Sequence, residues 1–180
     1  AGCLDALAAR GADLDAPYLT GHQSTPFIMS AHNDAADAAR ALAARGADVR
    51  RTNAYGATSV AVAAALGHAD VLQVLLRVDP RGAQTVDQNG AAPLHVAAAR
   101  GRTSSVAALL RAGAPADATW RGLTPIDIAR RNGHGHVVRL LATRAIDAGV
   151  SANEVTPDDA PRHLRSPMPS PCAAGAALPT

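Results

Sequence analysis

The chain has 180 residues, is 48% hydrophobic but only 2% aromatic, and carries a formal net charge of +2. That content suits a globular domain, and it excludes both the strong basic field of a nucleic-acid binder and the aromatic walls of a deep cofactor pocket. Two isolated cysteines, Cys3 and Cys172, match neither a disulfide framework nor zinc-ligand spacing.

In chain order, Cys3-Leu4-Asp5-Ala6-Leu7-Ala8-Ala9-Arg10 predicts a helix that turns at Gly11-Ala12-Asp13. The same pattern returns in Ala43-Ala44-Arg45-Gly46-Ala47-Asp48. It reads as the second half of a unit whose first helix is missing, so the expectation is a fragment or processed product in which Leu4 and Leu7 are partly exposed. Four hexapeptides then recur: Thr25-Pro26-Phe27-Ile28-Met29-Ser30, Thr58-Ser59-Val60-Ala61-Val62-Ala63, Ala92-Pro93-Leu94-His95-Val96-Ala97 and Thr124-Pro125-Ile126-Asp127-Ile128-Ala129. Their starts lie 33, 34 and 32 residues apart. Each predicts a helix start, with threonine capping the free N–H groups and proline at a position where its missing N–H is harmless.

A second amphipathic run follows each hexapeptide, and leucines 42, 75, 76, 109, 110, 140 and 141 are expected to face a common stack. Glycines 67, 101 and 133 split the paired helices, and glycines 46, 82 and 113 turn the chain after the second helix. Asp34 stands where the first unit would have its inter-helix glycine. The period stops near residue 146. Residues 151–180 hold 6 of the 12 prolines amid alanine and glycine, too little apolar surface to offset the ordering entropy, so a disordered tail is expected.

A period near 33 residues with several markers in phase resembles the ankyrin repeat family, whose signature is Thr-Pro-Leu-His-x-Ala. Residues Ala92-Pro93-Leu94-His95-Val96-Ala97 differ from it only in lacking the threonine. The expected fold is an all-α, ankyrin-type helix-turn-helix repeat solenoid with β-hairpin-like loops. Its repeat domain spans 1–150, with a partial repeat near 1–20 and repeats at 21–53, 54–87, 88–119 and 120–150, and the tail spans 151–180. The resemblance also implies that His95 ties neighbouring loops together through backbone groups, that loop tips project as fingers, and that first helices line a concave groove.

Catalytic constellations are weak. His134-Gly135-His136 cannot place both rings on one helix face, Ser104-Ser105 lacks a glycine elbow, and no glycine cluster suits a phosphate. The expectation is a chain that is not an enzyme, with no catalytic residues, no metal and no cofactor. The phase points instead to a binding surface of Arg50, Arg51, Asn53 and Tyr55 on one tip, Asn89 on the next, Trp120 and Arg121 on a third, and Arg100 and Arg131 at helix ends. Tyrosine, tryptophan and arginine dominate binding hot spots. The reading is a non-catalytic module that binds a partner polypeptide, with acidic partners favoured by the arginines. The alternative is a regulatory or targeting arm of a larger enzyme whose catalytic domain lies outside this chain. A purely structural spacer is the third possibility. With no apolar run long enough to span a bilayer and no visible signal peptide, the expectation is a cytoplasmic monomer that engages neither membrane nor nucleic acid.

Overall fold

The structure, a computed structural model, describes residues 10–18 and 23–147. The expected helix carrying Leu4 and Leu7 and the expected tail at 151–180 lie outside the described residues. Eight α-helices and no strand occur among those that are described. They form four pairs: α1 (Pro26–His32) with α2 (Ala36–Ala44), α3 (Ser59–Leu66) with α4 (Ala69–Val78), α5 (Pro93–Ala99) with α6 (Thr103–Arg111), and α7 (Pro125–Arg131) with α8 (Gly135–Asp147). First helices stack on first helices and second helices on second helices, so the chain is the all-α repeat solenoid that its period predicts.

The caps are those expected from the hexapeptides. The hydroxyls of Thr25, Thr58 and Thr124 accept from the N–H groups of Ile28, Ala61 and Asp127 at 3.4, 3.3 and 3.4 Å. Proline is the first helical residue of α1, α5 and α7. Ala92 has no side-chain acceptor to offer; His95 Nδ1 instead takes a different donor, the Ala92 N–H itself, at 3.2 Å, as Asp127 Oδ2 does for the Thr124 N–H at 3.0 Å.

Two rows of apolar side chains make the core. In the first-helix row small residues let backbones approach: Ala31, Ala63, Ala64, Ala97, Ala98 and Ala129 have no exposed surface. The second-helix row carries larger residues at matching phase, with Leu42, Leu75, Leu109 and Leu141 all buried. Leu76 is also buried, while Leu110 and Leu140 are half-buried against the same cluster. Arg130 occupies the phase of Ala31, Ala64 and Ala98, and it is exposed. The outer side of the fourth pair is polar at that position.

Glycine has two different jobs here. At Gly101 the chain leaves α5 with φ +67, and an added Cβ would meet the His134 ring of the next unit at 2.6 Å. His134 is held there by a 3.0 Å contact from Nε2 to the Ala99 carbonyl. The first unit makes the same turn with Asp34 at φ +53, a conformation costing a non-glycine residue roughly 1–2 kcal/mol. Gly82 turns the chain after α4 as expected, and does so within a 3-10 turn, Pro80–Ala83. A Cβ there would lie 2.8 Å from Val60 Cγ2, so close packing against α3 requires the glycine.

Among the described residues one buried hydroxyl stands unpaired. Ser105 on α6 has no exposed surface and its Oγ has no hydrogen-bond partner. Valines 71 and 137, equally buried, occupy the same phase in the neighbouring units. Ser105→Ala removes the unpaired group and raises stability by about 1 kcal/mol. Chemical denaturation should show a higher midpoint at an unchanged slope.

Candidate functional site

Loop tips join the helix pairs, and their local chemistry differs. In the tip between α2 and α3, Asn53 Oδ1 accepts from the N–H groups of Tyr55 and Ala57, both at 3.0 Å. The backbone closes with Asn53 N–H to the Ala57 carbonyl and Gly56 N–H to the Asn53 carbonyl. Asp87 does the same work in the next tip, its Oδ1 accepting from Asn89 and Ala91 at 2.8 and 2.9 Å. A short polar side chain folding back on its own backbone organises both tips.

The third tip is tighter. Trp120 and Leu123 exchange both backbone hydrogen bonds, at 2.9 and 3.0 Å. Only Arg121 and Gly122 lie between them, with φ +54 and +74. Two consecutive positive φ values are the mark of a type I′ turn, whose first central residue is usually asparagine, aspartate or glycine. Arginine there carries a strain of roughly 1–2 kcal/mol.

Side chains link each tip to its neighbour. Gln88 Nε2 donates to the Ala54 carbonyl at 3.2 Å, and Trp120 Nε1 donates to the Asn89 carbonyl at 2.8 Å. The half-buried Trp120 ring lies 6.3 Å from His95, tilted by 53°. His95 in turn reaches the Ala118 carbonyl through Nε2 at 2.9 Å. The Ala92 N–H can only donate, so Nδ1 accepts and the ring proton sits on Nε2. Arg121 places its guanidinium carbon 4.9 Å above the Trp120 ring, within the range of a cation–π contact.

The nine residues singled out by phase therefore divide into groups. Trp120, Arg121 and the Asn89 backbone come together in one cluster. Asn53 sits half-buried in its tip with its amide oxygen already occupied. Tyr55 is 56% exposed, and Arg51, Arg100 and Arg131 are exposed. Arg50 turns to the end of α4 and grips Asp79 through Nε at 2.8 Å and Nη2 at 3.3 Å. Sequence phase missed further exposed groups, among them Tyr18 at 62% and Val86 at 59%. Tyr18 lies seven residues before the Thr25 cap, and its N–H pairs with the Ser24 carbonyl at 2.9 Å. Position relative to that cap was the signal that could have found it.

The Arg50 hydrogen bond holds the Asp79 carboxyl below the usual carboxylate range, and burial pushes against that shift. A carboxylate depressed in the folded state contributes stability above its unfolded value and loses it as pH falls through the folded one. Asp79→Asn should thus destabilise the protein at pH 7. The gap from wild type should close as pH falls below about pH 4. Denaturant midpoints measured across an acid series check this.

Among the described residues no group of three or more histidine, cysteine or acidic side chains could hold a metal ion. Nor is any described helix long and apolar enough to cross a membrane. His136 Nδ1 instead lies 2.7 Å from Arg139 Nη2, one turn along α8.

Two family profiles match the chain: ankyrin repeats (many copies) over residues 7–63, and ankyrin repeats (3 copies) over residues 78–152. The chain is 35% identical over 115 residues to cyclin-dependent kinase 4 inhibitor B of Bos taurus, a match covering 62% of this chain and 85% of that protein. It is 33% identical over 147 residues to ankyrin repeat domain-containing protein 63 of Homo sapiens. That match covers 73% of this chain but only 38% of the human protein.

Proposed function

Because the chain belongs to the ankyrin repeat family, we propose that it is a non-catalytic module that binds a partner polypeptide along its row of loop tips and the adjoining ends of its first helices. The observation that carries this reading is the tip row itself. Tyr18 and Tyr55 stand exposed ahead of the first and second helix pairs and Arg121 ahead of the fourth, and cross-tip hydrogen bonds from Gln88 and Trp120 link the tips between Tyr55 and Arg121. A surface ordered before binding loses less entropy when a partner arrives. The bovine relative is named as an inhibitor of a kinase, which is action on another protein.

Of the nine residues, Arg51, Tyr55, Arg100, Arg121 and Arg131 are the ones we assign to direct contact. Arginine on exposed tips and helix ends favours an acidic partner. Arg50, Asn53 and Asn89 shape and position the tips, and Trp120 does both. The partner is a protein, and the site serves neither nucleic acid nor a membrane.

The test is affinity capture from a cell extract with identification of the bound proteins. It is followed by direct affinity measurement for wild type and for a Tyr55→Ala, Arg121→Ala, Arg131→Ala variant. These side chains are exposed, so circular dichroism should be unchanged. Affinity for the captured partner should fall by about tenfold or more. Equal affinity in a folded variant would sink the assignment.

A further inference from the structure

We propose that the Trp120–Arg121 tip is a carboxylate-binding site, at which the vacant guanidinium fork of Arg121 takes an aspartate or glutamate side chain of the partner polypeptide. This rests on the reading of the tip row as a protein-binding surface, and it assigns one contact within that row.

Several independent features single out Arg121. Among the described arginines it is the one seated over an aromatic ring, with its guanidinium carbon 4.9 Å from the Trp120 centroid. That ring is itself anchored, through Nε1 to the Asn89 carbonyl at 2.8 Å and by its packing near the buried His95. Arg121 also occupies a left-handed backbone position, φ +54, in a two-residue turn where asparagine or glycine would be the relaxed choice. Strain retained at an exposed tip is an observation that calls for a functional reason.

The electrostatics point to the ligand. Arg40, Arg50 and Arg130 each have an acidic partner, Asp37, Asp79 and Asp127. Arg121 has none among the described residues, and no backbone carbonyl takes its N–H groups. The cation–π contact holds the guanidinium over the ring without engaging a hydrogen-bond acceptor, so its N–H donors stay free. A planar guanidinium fork matches a carboxylate with two parallel hydrogen bonds. Arg51, Arg100 and Arg131 are also exposed but have no such support, so their side chains carry the full entropy cost of being ordered on binding.

Trp120 is the sole tryptophan of the chain, so its fluorescence reports on this tip alone. The experiment titrates the full chain with acetylated, amidated tetraglutamate, with the tetraglutamine counterpart and with inorganic phosphate. Fluorescence and the indole Nε1–H resonance are followed. Tetraglutamate should perturb both signals and tetraglutamine should not. Arg121→Gln and Arg121→Asn should each weaken the tetraglutamate response by about tenfold, the asparagine variant being also the better fit to positive φ. Arg121→Lys should weaken it too, since it keeps the charge but not the fork. Arg77→Gln, on α4, should leave it unchanged.

Equal responses to tetraglutamate and tetraglutamine would overturn the proposal, as would undiminished binding by Arg121→Gln and Arg121→Asn. Inorganic phosphate binding more tightly than tetraglutamate would overturn it in favour of a phosphoryl site. The titration needs no partner protein. A negative titration with partner capture intact removes this contact only, whereas failed capture with a positive titration counts against the wider binding reading.

Discussion

Leu75→Ala should lower the unfolding free energy by about 3 kcal/mol and abolish cooperative unfolding of the whole stack. Leu75 lies on α4 with no exposed surface, and α4 touches α1, α2, α3, α6 and the 3-10 turn. Burying a leucine contributes about 1.5–3 kcal/mol, and truncating it in a packed core costs about 2–5 kcal/mol once the cavity is included. The neighbours cannot close the gap easily. Val71, Leu72 and Leu76 are already buried on the same helix, and the Pro80–Ala83 turn is pinned against Val60 at Gly82. Repeat stacks hold together through nearest-neighbour interfaces, and Leu75 sits in the second pair, between the first and the third. Weakening it should uncouple the first pair from the rest. Hydrogen exchange should show α1 and α2 losing protection ahead of α7 and α8. Denaturant unfolding should broaden. A single sharp transition displaced by less than about 1 kcal/mol would contradict this account.

Most of the scaffold was legible because its determinants are local and periodic. Threonine caps, first-turn prolines and the leucines of the second-helix row each act within their own helix or on the adjacent one, and the period repeats them in phase. Glycines 46, 67, 113 and 133 take positive φ as a helix end requires. Asp34 adopts the glycine-like conformation at the point where the phase put it. The turn at Gly82 was legible but its packing constraint was not, because that is tertiary: it is a methyl of Val60, from a different helix, and no local pattern records it. The candidate site was half legible for a related reason. Phase places a Cα at a tip, but a long side chain chooses its own partner. Arg50 finds Asp79 twenty-nine residues onward, and the Trp120 indole finds the carbonyl of Asn89. The functional weight of a tip residue depends on where its head group goes, and that follows from the packed structure.

His95→Ala should cost about 3 kcal/mol and should also loosen the tip that carries Trp120. The ring is 1% exposed. It accepts from the Ala92 N–H at 3.2 Å and meets the Ala118 carbonyl at 2.9 Å. Removing it leaves two backbone groups without their partner, each at about 1–3 kcal/mol when water cannot reach it, and opens a cavity beneath Trp120. Ala92 is almost wholly buried, so its N–H bears the larger share, while the half-buried Ala118 carbonyl can recover a bond to water. Ala92→Thr in the His95→Ala background should recover part of the stability by adding a cap, since a hydroxyl there can take the N–H three residues on as Thr58 and Thr124 do, while the backbone N–H at position 92 stays unpaired. It cannot restore the hold on Ala118. Two readouts should therefore separate. The thermal midpoint should partly recover in the double variant, while Trp120 fluorescence remains more accessible to iodide than in wild type. Full recovery of both would mean that His95 acts only as a helix cap; quenching unchanged by His95→Ala alone would mean that the Trp120 tip stands without it.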